Sequence, residues 1–571
     1  MRRIAVLLLL VLPIRDGHVS ATAADDTTCL PLTVANPDGN YIVPGARGGI
    51  VYRRVESRDL MLDAWAPPVT AGGRAVARSG PAPPGVVVIH GGGFTAGSRV
   101  AFVGQFLELL TAAGYPWMSV DYRLHGPLRV GDAADDVRAG VAFARCRAND
   151  LGIDPDRIVL LGEDAGAALA ATVAERGAPG VIGAVLLGGL FAAGPNGPSH
   201  VAPGLVALGL VAPGLQSRRT DPDSPPRFLV VHGTADTEVP IGRAEAWCRR
   251  RAAGTCELLA IEGASHRPEN WWPVQWGYKS RIAEWLQRLA PVSSAKPTAA
   301  PPPDFAVPLA PGLHKRIAYR ANGDGQQTMD AWLPSHSATP RPAVVLLHGG
   351  GWEAGDRVTY ITPLFEPLAR AGFAWFSVDY RLTPAVRHSD QLDDVRAALA
   401  FIRARAGAFG IDASRLVLVG ESASAQIATL LATGDGGLAG IASFYGVYDF
   451  LPLVTDAGPR SLAARLFGRT VLDDETRALL RQYSPLHQAR RDMPPILLIH
   501  GTSERLWEQG VRMAARLAEM GVEHELVRLE GAPHGMENWE GHPEWQFYKP
   551  HLLSWIKRQI SRQPSATSGR E

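Results

Sequence analysis

Three side chains in the second half of the chain have the types, and the order along the chain, of a nucleophile, its acid and its base: Ser422, Glu504 and His534. A serine hydroxyl is a weak nucleophile at neutral pH. It needs an imidazole to take its proton, and the imidazole needs a carboxylate to fix its tautomer. Ser422 is the centre of Gly420-Glu421-Ser422-Ala423-Ser424, between the apolar run "RLVLVG" and the helical "AQIATLLA". A tight strand-to-helix turn of this kind exposes its central residue at a strained backbone position, and small neighbours let strand and helix approach. A lone serine in such a pattern is most often a helix cap. Its weight here comes from the neighbours. His348-Gly349-Gly350-Gly351-Trp352 follows an earlier apolar run, and the amides of Gly350 and Gly351, joined by that of Ala423, could hold an oxyanion. Glu504 ends "LLIHGTSE", with Glu508 as a fallback acid, and His534 lies in "EGAPHGMENW". The chemistry implied is acyl transfer to serine and then to water.

The same frame occurs a second time. "VVVIHGGGF" at 86–94 matches "VVLLHGGGW" at 344–352, "SVDYRL" recurs at 119 and 377, and "LGED" matches "VGES", all at a spacing of 258 residues. "VVHGTADTEVP" matches "LIHGTSERLWE" and "GASHRPENW" matches "GAPHGMENW" at a spacing of 268. Two homologous domains are therefore expected. The first keeps Asp236 and His266 in the acid and base positions, but Asp164 replaces the nucleophile. A carboxylate is already ionised, so an imidazole cannot activate it by taking a proton. An ion pair with protonated His266 is expected instead, and the first domain reads as a catalytically silent copy. Aspartate displacement at an sp³ carbon is the less favoured alternative. The segment that follows this first turn, "GGLFAAGPNGPSHVAPGLVALGLVAPG", is rich in Gly, Pro and Ala and contains no tyrosine.

These residues must be carried by alternating elements. "AVVLLHGG" is a continuous apolar run, as a strand covered on both faces requires. "DQLDDVRAALAFIRARAGAFG" has a 3.6-residue apolar stripe and a glycine ending. Strands alternating with helices imply an α/β class with a mostly parallel central sheet covered by helices on both faces, built twice. The segments "HGGGW", "DYRL", "GESAS", "HGTSE" and "GAPHG" resemble α/β-hydrolases, specifically secreted bacterial carboxylesterases of the feruloyl-esterase and acetyl-xylan-esterase type. The resemblance covers nearly all of both halves. It implies an eight-stranded fold, ester hydrolysis without cofactor or metal, and small-molecule or polysaccharide ester substrates. Ser424 in place of glycine and Glu504 in place of aspartate depart from the usual pattern. Asp379 and Arg381 of "DYRL" are expected to form a structural ion pair. Tyr445, Tyr448 and Phe467 are open to two readings, acyl pocket or core. A peptidase of the prolyl-oligopeptidase type and a non-catalytic binding protein are the other readings of the whole.

Composition narrows the field further. The 571 residues carry 57 basic and 56 acidic side chains, so no charge excess calls for nucleic acid or an anionic membrane. Arg2 and Arg3, an apolar run to Ile14 and Ala21-Thr22-Ala23 read as a signal peptide over 1–23, which implies a secreted or periplasmic protein. The expected layout is then a silent domain over 24–290, a Pro-rich linker over 291–311, a catalytic domain over 312–562 and a disordered tail over 563–571. Export permits disulfides. Cys248–Cys256 is the favoured pair and Cys29–Cys146 the weaker expectation. Domain–domain docking is expected, and the oligomeric state is left open.

Overall fold

The computed structural model describes residues 29–561 apart from 37–38, 56–57, 69, 72–73, 76–80, 125–129, 190–224, 272–276, 293–302, 323–324, 336 and 435–436. The signal peptide, the tail, residues 293–302 of the linker and nearly all of the Gly/Pro/Ala-rich segment of the first half lie outside the described residues.

Two sheets carry the fold. The first has nine strands: β1 (Val34–Asn36), β2 (Arg47–Val55), β3 (Arg58–Trp65), β4 (Pro84–Ile89), β5 (Trp117–Val120), β6 (Asp154–Glu163), β7 (Val181–Leu187), β8 (Arg227–Gly233) and β9 (Cys256–Ile261), ordered β1-β2-β3-β5-β4-β6-β7-β8-β9. The second has eight: β10 (Gly312–Asn322), β11 (Gly325–Leu333), β12 (Arg341–Leu347), β13 (Ala374–Val378), β14 (Ile411–Glu421), β15 (Gly440–Phe444), β16 (Ile496–Gly501) and β17 (His524–Leu529), ordered β10-β11-β13-β12-β14-β15-β16-β17. Apart from the added edge strand β1, the two orders are the same. In each sheet the leading hairpin is antiparallel and the later strands run parallel, with helices on both faces. This is the doubly covered α/β architecture that the alternating pattern implies, in the α/β-hydrolase form that the resemblance implies.

Alternation along the strands divides the core. In β12, Val344 and Leu346 face one way while Val345 and Leu347 face the other. One face of each sheet builds a core private to its own half. The opposite faces merge. Trp117, Tyr115 and Trp285 of the first half belong to one contiguous cluster with Trp332, Trp375 and Trp555 of the second. The halves are thus docked, and the contacts between them come in matched pairs. Arg357 places Nη2 2.9 Å from Glu108, while its counterpart Arg99 reaches the counterpart carboxylate of Glu366 at 4.0 Å. Thr362 donates its hydroxyl to the Val100 carbonyl at 2.9 Å. At the mirrored contact, a Cβ on Gly104 would lie 2.3 Å from the Val358 carbonyl, so only glycine fits. Arg357 is buried among Glu108, Asp330 and Asp379. Removing one partner of such a buried group costs about 3–5 kcal/mol.

The last part of the expected linker is not a free spacer. Phe305 packs edge-on against Phe401 and Phe409, and the Leu309 amide donates to the Ala408 carbonyl at 2.8 Å. Both cysteine pairs, Cys248–Cys256 and Cys29–Cys146, are disulfides, and the second ties the N-terminal segment to the end of the helix Val130–Cys146.

Candidate active site

Strand β14 ends at Glu421, and the helix Ala423–Leu431 begins one residue after Ser422. That leaves Ser422 at φ 55°, ψ −117°, a conformation that costs a non-glycine residue of order 1–3 kcal/mol. The turn is tight because a Cβ on Gly420 would lie 2.4 Å from the Ser424 carbonyl. Ser424, the departure from the common pattern, fits without loss: its hydroxyl accepts from the Glu421 amide at 2.9 Å and donates to the Leu347 carbonyl at 2.8 Å.

The three separated residues meet. Ser422 Oγ lies 2.9 Å from His534 Nε2, and His534 Nδ1 is hydrogen-bonded to Glu504 Oε2. Glu508 is exposed in the first turn of the next helix and makes no part of this chain. His500, which sequence reading did not single out, lies 2.9 Å from Glu504 Oε1 through Nδ1. Burial alone would raise the Glu504 carboxyl, but the hydrogen bonds from His500 and His534 hold it below its ordinary value. The signal was present in the repeat, because "IHGTSE" and "VHGTAD" both place a histidine four residues before the acid.

The glycine loop after β12 is held from beneath. His348 stacks on Tyr380 with ring centroids 4.3 Å apart, and Tyr380 donates to the His348 carbonyl at 2.7 Å. Gly350 has φ +101°, and a Cβ there would strike the Ala354 carbonyl at 2.2 Å. Asp379 and Arg381 do not pair with each other, contrary to the sequence expectation. Asp379 takes the Arg357 amide and guanidinium, and Arg381 takes Asp394 at 2.8 and 2.9 Å. Both lie beyond the end of β13 at Val378, where the chain has left the strand, and each side chain finds its own partner on another element.

Of the two readings of Tyr445, Tyr448 and Phe467, packing is the one realised. Tyr445 and Tyr448 are fully buried. Phe467 packs on His388, Phe450 and Tyr483. Tyr445 has a further use that sequence reading missed. Its hydroxyl donates to Glu421 Oε2 at 2.7 Å and accepts from the Met536 amide at 2.7 Å, while Glu421 Oε1 accepts from the Gly349 amide at 2.6 Å. One buried chain of hydrogen bonds thus ties the glycine loop, the elbow and the His534 loop together. Burial pushes the Glu421 carboxyl up to about 7, against the pull of Tyr445 and Gly349.

The first half reproduces this frame around Asp164. Asp164 has φ 49°, ψ −115°, and His266 bridges it to Asp236, with Nε2 3.2 Å from Asp164 Oδ1 and Nδ1 2.8 Å from Asp236 Oδ2. The other carboxylate oxygen, Oδ2, accepts from the Gly92 amide at 3.0 Å and the Gly93 amide at 2.8 Å, and the Ala165 amide also bonds the carboxylate. These are the counterparts of Gly350, Gly351 and Ala423. Burial opposes both ionised groups. Even so, the hydrogen bond to Asp164 and that to Asp236 lift the His266 imidazole to about 10, and Asp164 is held below its ordinary value by His266 and the amides. The copy carries an internal ion pair, with its own carboxylate in the position of an oxyanion.

A family model described as BD-FAE matches residues 76–179 and 329–517, just over half of the chain and parts of both halves. The chain belongs to the BD-FAE family. The match takes in the glycine loop and elbow of each half and, in the second, runs on to Glu504. Among other relatives of this BD-FAE member is esterase LipC of Mycobacterium tuberculosis, 27% identical over 272 residues, covering 42% of this chain and 66% of LipC. Another is the ethyl acetate hydrolase of Pseudomonas putida, 30% identical over 207 residues, covering 34% of this chain and 65% of that enzyme. The chain spans between 42% and 66% of the length of these and the other first curated relatives it matches. A solved structure titled as a truncated form of a carbohydrate esterase from gut microbiota is 18% identical, with a TM-score of 0.40, over 46% of this chain and all of that one.

Proposed function

We propose that the chain is a carboxylic ester hydrolase whose chemistry runs in the second half alone. The observation that carries this reading is the contact of Ser422 with His534 at 2.9 Å, completed by Glu504. His534 removes the Ser422 proton as Oγ attacks the ester carbonyl. Glu504 fixes the imidazole tautomer and balances the imidazolium that forms. The amides of Gly350, Gly351 and Ala423 receive the oxyanion. The alcohol leaves with the proton from His534, and water then releases the acid by the same steps. Support for the oxyanion assignment comes from the first half, where the counterpart amides already hold a carboxylate oxygen.

The first half is a silent copy in this reading. Asp164 has no proton to give, and its carboxylate fills the place an oxyanion would take. Relatives named as an esterase and an ethyl acetate hydrolase support ester substrates, and short-chain or polysaccharide-linked esters, acetyl and feruloyl among them, are the ones proposed. Two disulfides in the first half support export to an oxidising compartment.

The test is hydrolysis of p-nitrophenyl acetate, acetylated xylan and methyl ferulate by the full chain. Ser422→Ala is expected to lower kcat by about 10⁴-fold or more, while Asp164→Ala stays within about twofold of the parent because Asp164 takes no part in the step. Equal losses in both variants would overturn the assignment.

A further inference from the structure

A cavity of about 400 Å³ opens over the silent centre, and its wall is shared: Asp164 and Arg267 come from the first half, Asn538 and Trp545 from the second. Its size lies in the range of small-molecule sites, yet nothing in the proposed reaction uses it. The oxyanion amides in its floor are already filled by Asp164. Charges of both signs meet there: Asp164 and Asp236 share the protonated His266, and Arg267 stands in the same wall as the exposed Glu238. No field of a single sign fills the cavity.

It does offer hydrogen bonds in both directions. Arg267 faces the carboxyls of Glu269 and Glu537, the latter at 3.9 Å, lies over the Phe102 ring, and donates no hydrogen bond to any described residue. The Glu163 carboxyl lines the cavity and stands beside the buried Glu269 carboxyl; burial and that neighbour push it well above its ordinary value. Thr95 adds a hydroxyl at the rim. Apolar wall comes from Phe102 and from Trp545, whose indole N–H is bound to the Glu530 carbonyl and whose ring has the His542 ring 4.2 Å away on one side, so that the remainder of the ring is what it offers. Arg267 also marks the difference between the halves, because its counterpart is Gly535.

We propose that this cavity is a non-catalytic binding site for an uncharged polyhydroxylated ring, a saccharide unit, with Arg267 and Glu163 bonding its hydroxyls and Trp545 packing on its apolar face. A saccharide needs this combination: donors and acceptors side by side, and an aromatic surface for the C–H face of the ring. The site also borders the catalytic loop. Asn538, in the wall, donates to the His534 carbonyl at 2.7 Å. The inference stands apart from the esterase reading of Ser422.

The test is isothermal titration calorimetry of the full chain with unesterified cellobiose, xylobiose and mannobiose, with p-nitrophenyl acetate hydrolysis measured on the same samples. Saturable binding of at least one disaccharide at about millimolar Kd or tighter is expected. Arg267→Gly and Trp545→Leu should each weaken it by about tenfold, while leaving hydrolysis within about twofold and the melting temperature close to the parent. Labelling Ser422 with a fluorophosphonate should leave the binding in place. No heat with any of the three sugars overturns the proposal. So does binding that both variants retain, or binding that the Ser422 label abolishes, which would put the sugar in the second half's centre. Loss of the esterase reading alone would show as absent hydrolysis with sugar binding intact.

Discussion

The turns at Asp164 and Ser422 share a backbone and differ in chemistry. Their φ and ψ values agree within a few degrees, and each places its amide 2.8 Å from the carbonyl of the next strand, Leu187 in one and Phe444 in the other. A strained conformation that the proposed reaction uses at Ser422 is thus kept at Asp164, where a carboxylate stands in place of the hydroxyl. Packing explains its retention. A Cβ on Gly162 would lie 2.2 Å from the Gly166 carbonyl, and one on Gly166 would lie 2.2 Å from the Ile89 carbonyl, so strand and helix leave the chain no other route. The acid and base survive for a different reason. In the proposed reaction they activate a serine in the second half, while in the first they hold between two carboxylates an imidazole lifted to about 10. Asymmetry continues one layer down. Tyr445, which joins Glu421 to the His534 loop, corresponds to Gly188, whose Cβ would meet the His266 carbonyl at 2.6 Å.

The contrast can be pressed hardest at the acid. Glu504→Gln keeps the shape of the site but loses the charge that holds His534, and kcat on p-nitrophenyl acetate should fall by about 10⁴-fold. The matching Asp236→Asn change should leave kcat within about twofold. A smaller effect is expected at Tyr445. Tyr445→Phe removes the hydroxyl that links Glu421 to the Met536 amide, and kcat should fall by about tenfold, as for other groups that orient a reacting side chain. Glu421 then loses a donor to its ionised form and titrates higher, so the acid limb of the kcat–pH profile should move to higher pH. An unmoved limb would mean that Tyr445 is packing alone.

The smallest effect on rate, and a distinct effect on stability, belongs to Asp164. His266 at about 10 lies above its unfolded value, so its contribution is complete below about pH 6.5 and fades as pH rises through about 10. The Asp164 contribution, with its pKa depressed, is complete above about pH 4 and is lost as pH falls further. Asp164→Ala should therefore lower the calorimetric melting temperature by about 5 °C between pH values of about 4 and 6.5, with the gap closing toward pH 10. A gap that does not change with pH would dispose of the ion pair.

Much of this was legible in the residues. The order Ser422, Glu504, His534 and the 258-residue spacing identify the elbow, the glycine loop and the duplicated sheet before any coordinates, because covalent order and small-residue turns are local signals. His500, Tyr445 and Arg267 were not legible. Each acts through a partner about four to well over a hundred residues away, at a distance set by how strands stack and halves dock. The pairing of Asp379 with Arg357 rather than Arg381 has the same origin, since Arg357 lies 22 residues earlier and reaches Asp379 only through the fold. The reciprocal contacts between the halves are visible only once the two sheets are seen to bury matching faces.

Fluorophosphonate labelling of the intact chain, read by intact mass and peptide mapping, separates a working half from a silent one in a single step. One adduct, on Ser422, is expected, with hydrolysis lost in proportion and no label anywhere in the first half. Hydrolysis that persists after full labelling of Ser422, or an active chain that takes no label there, would contradict the assignment of the chemistry to the second half.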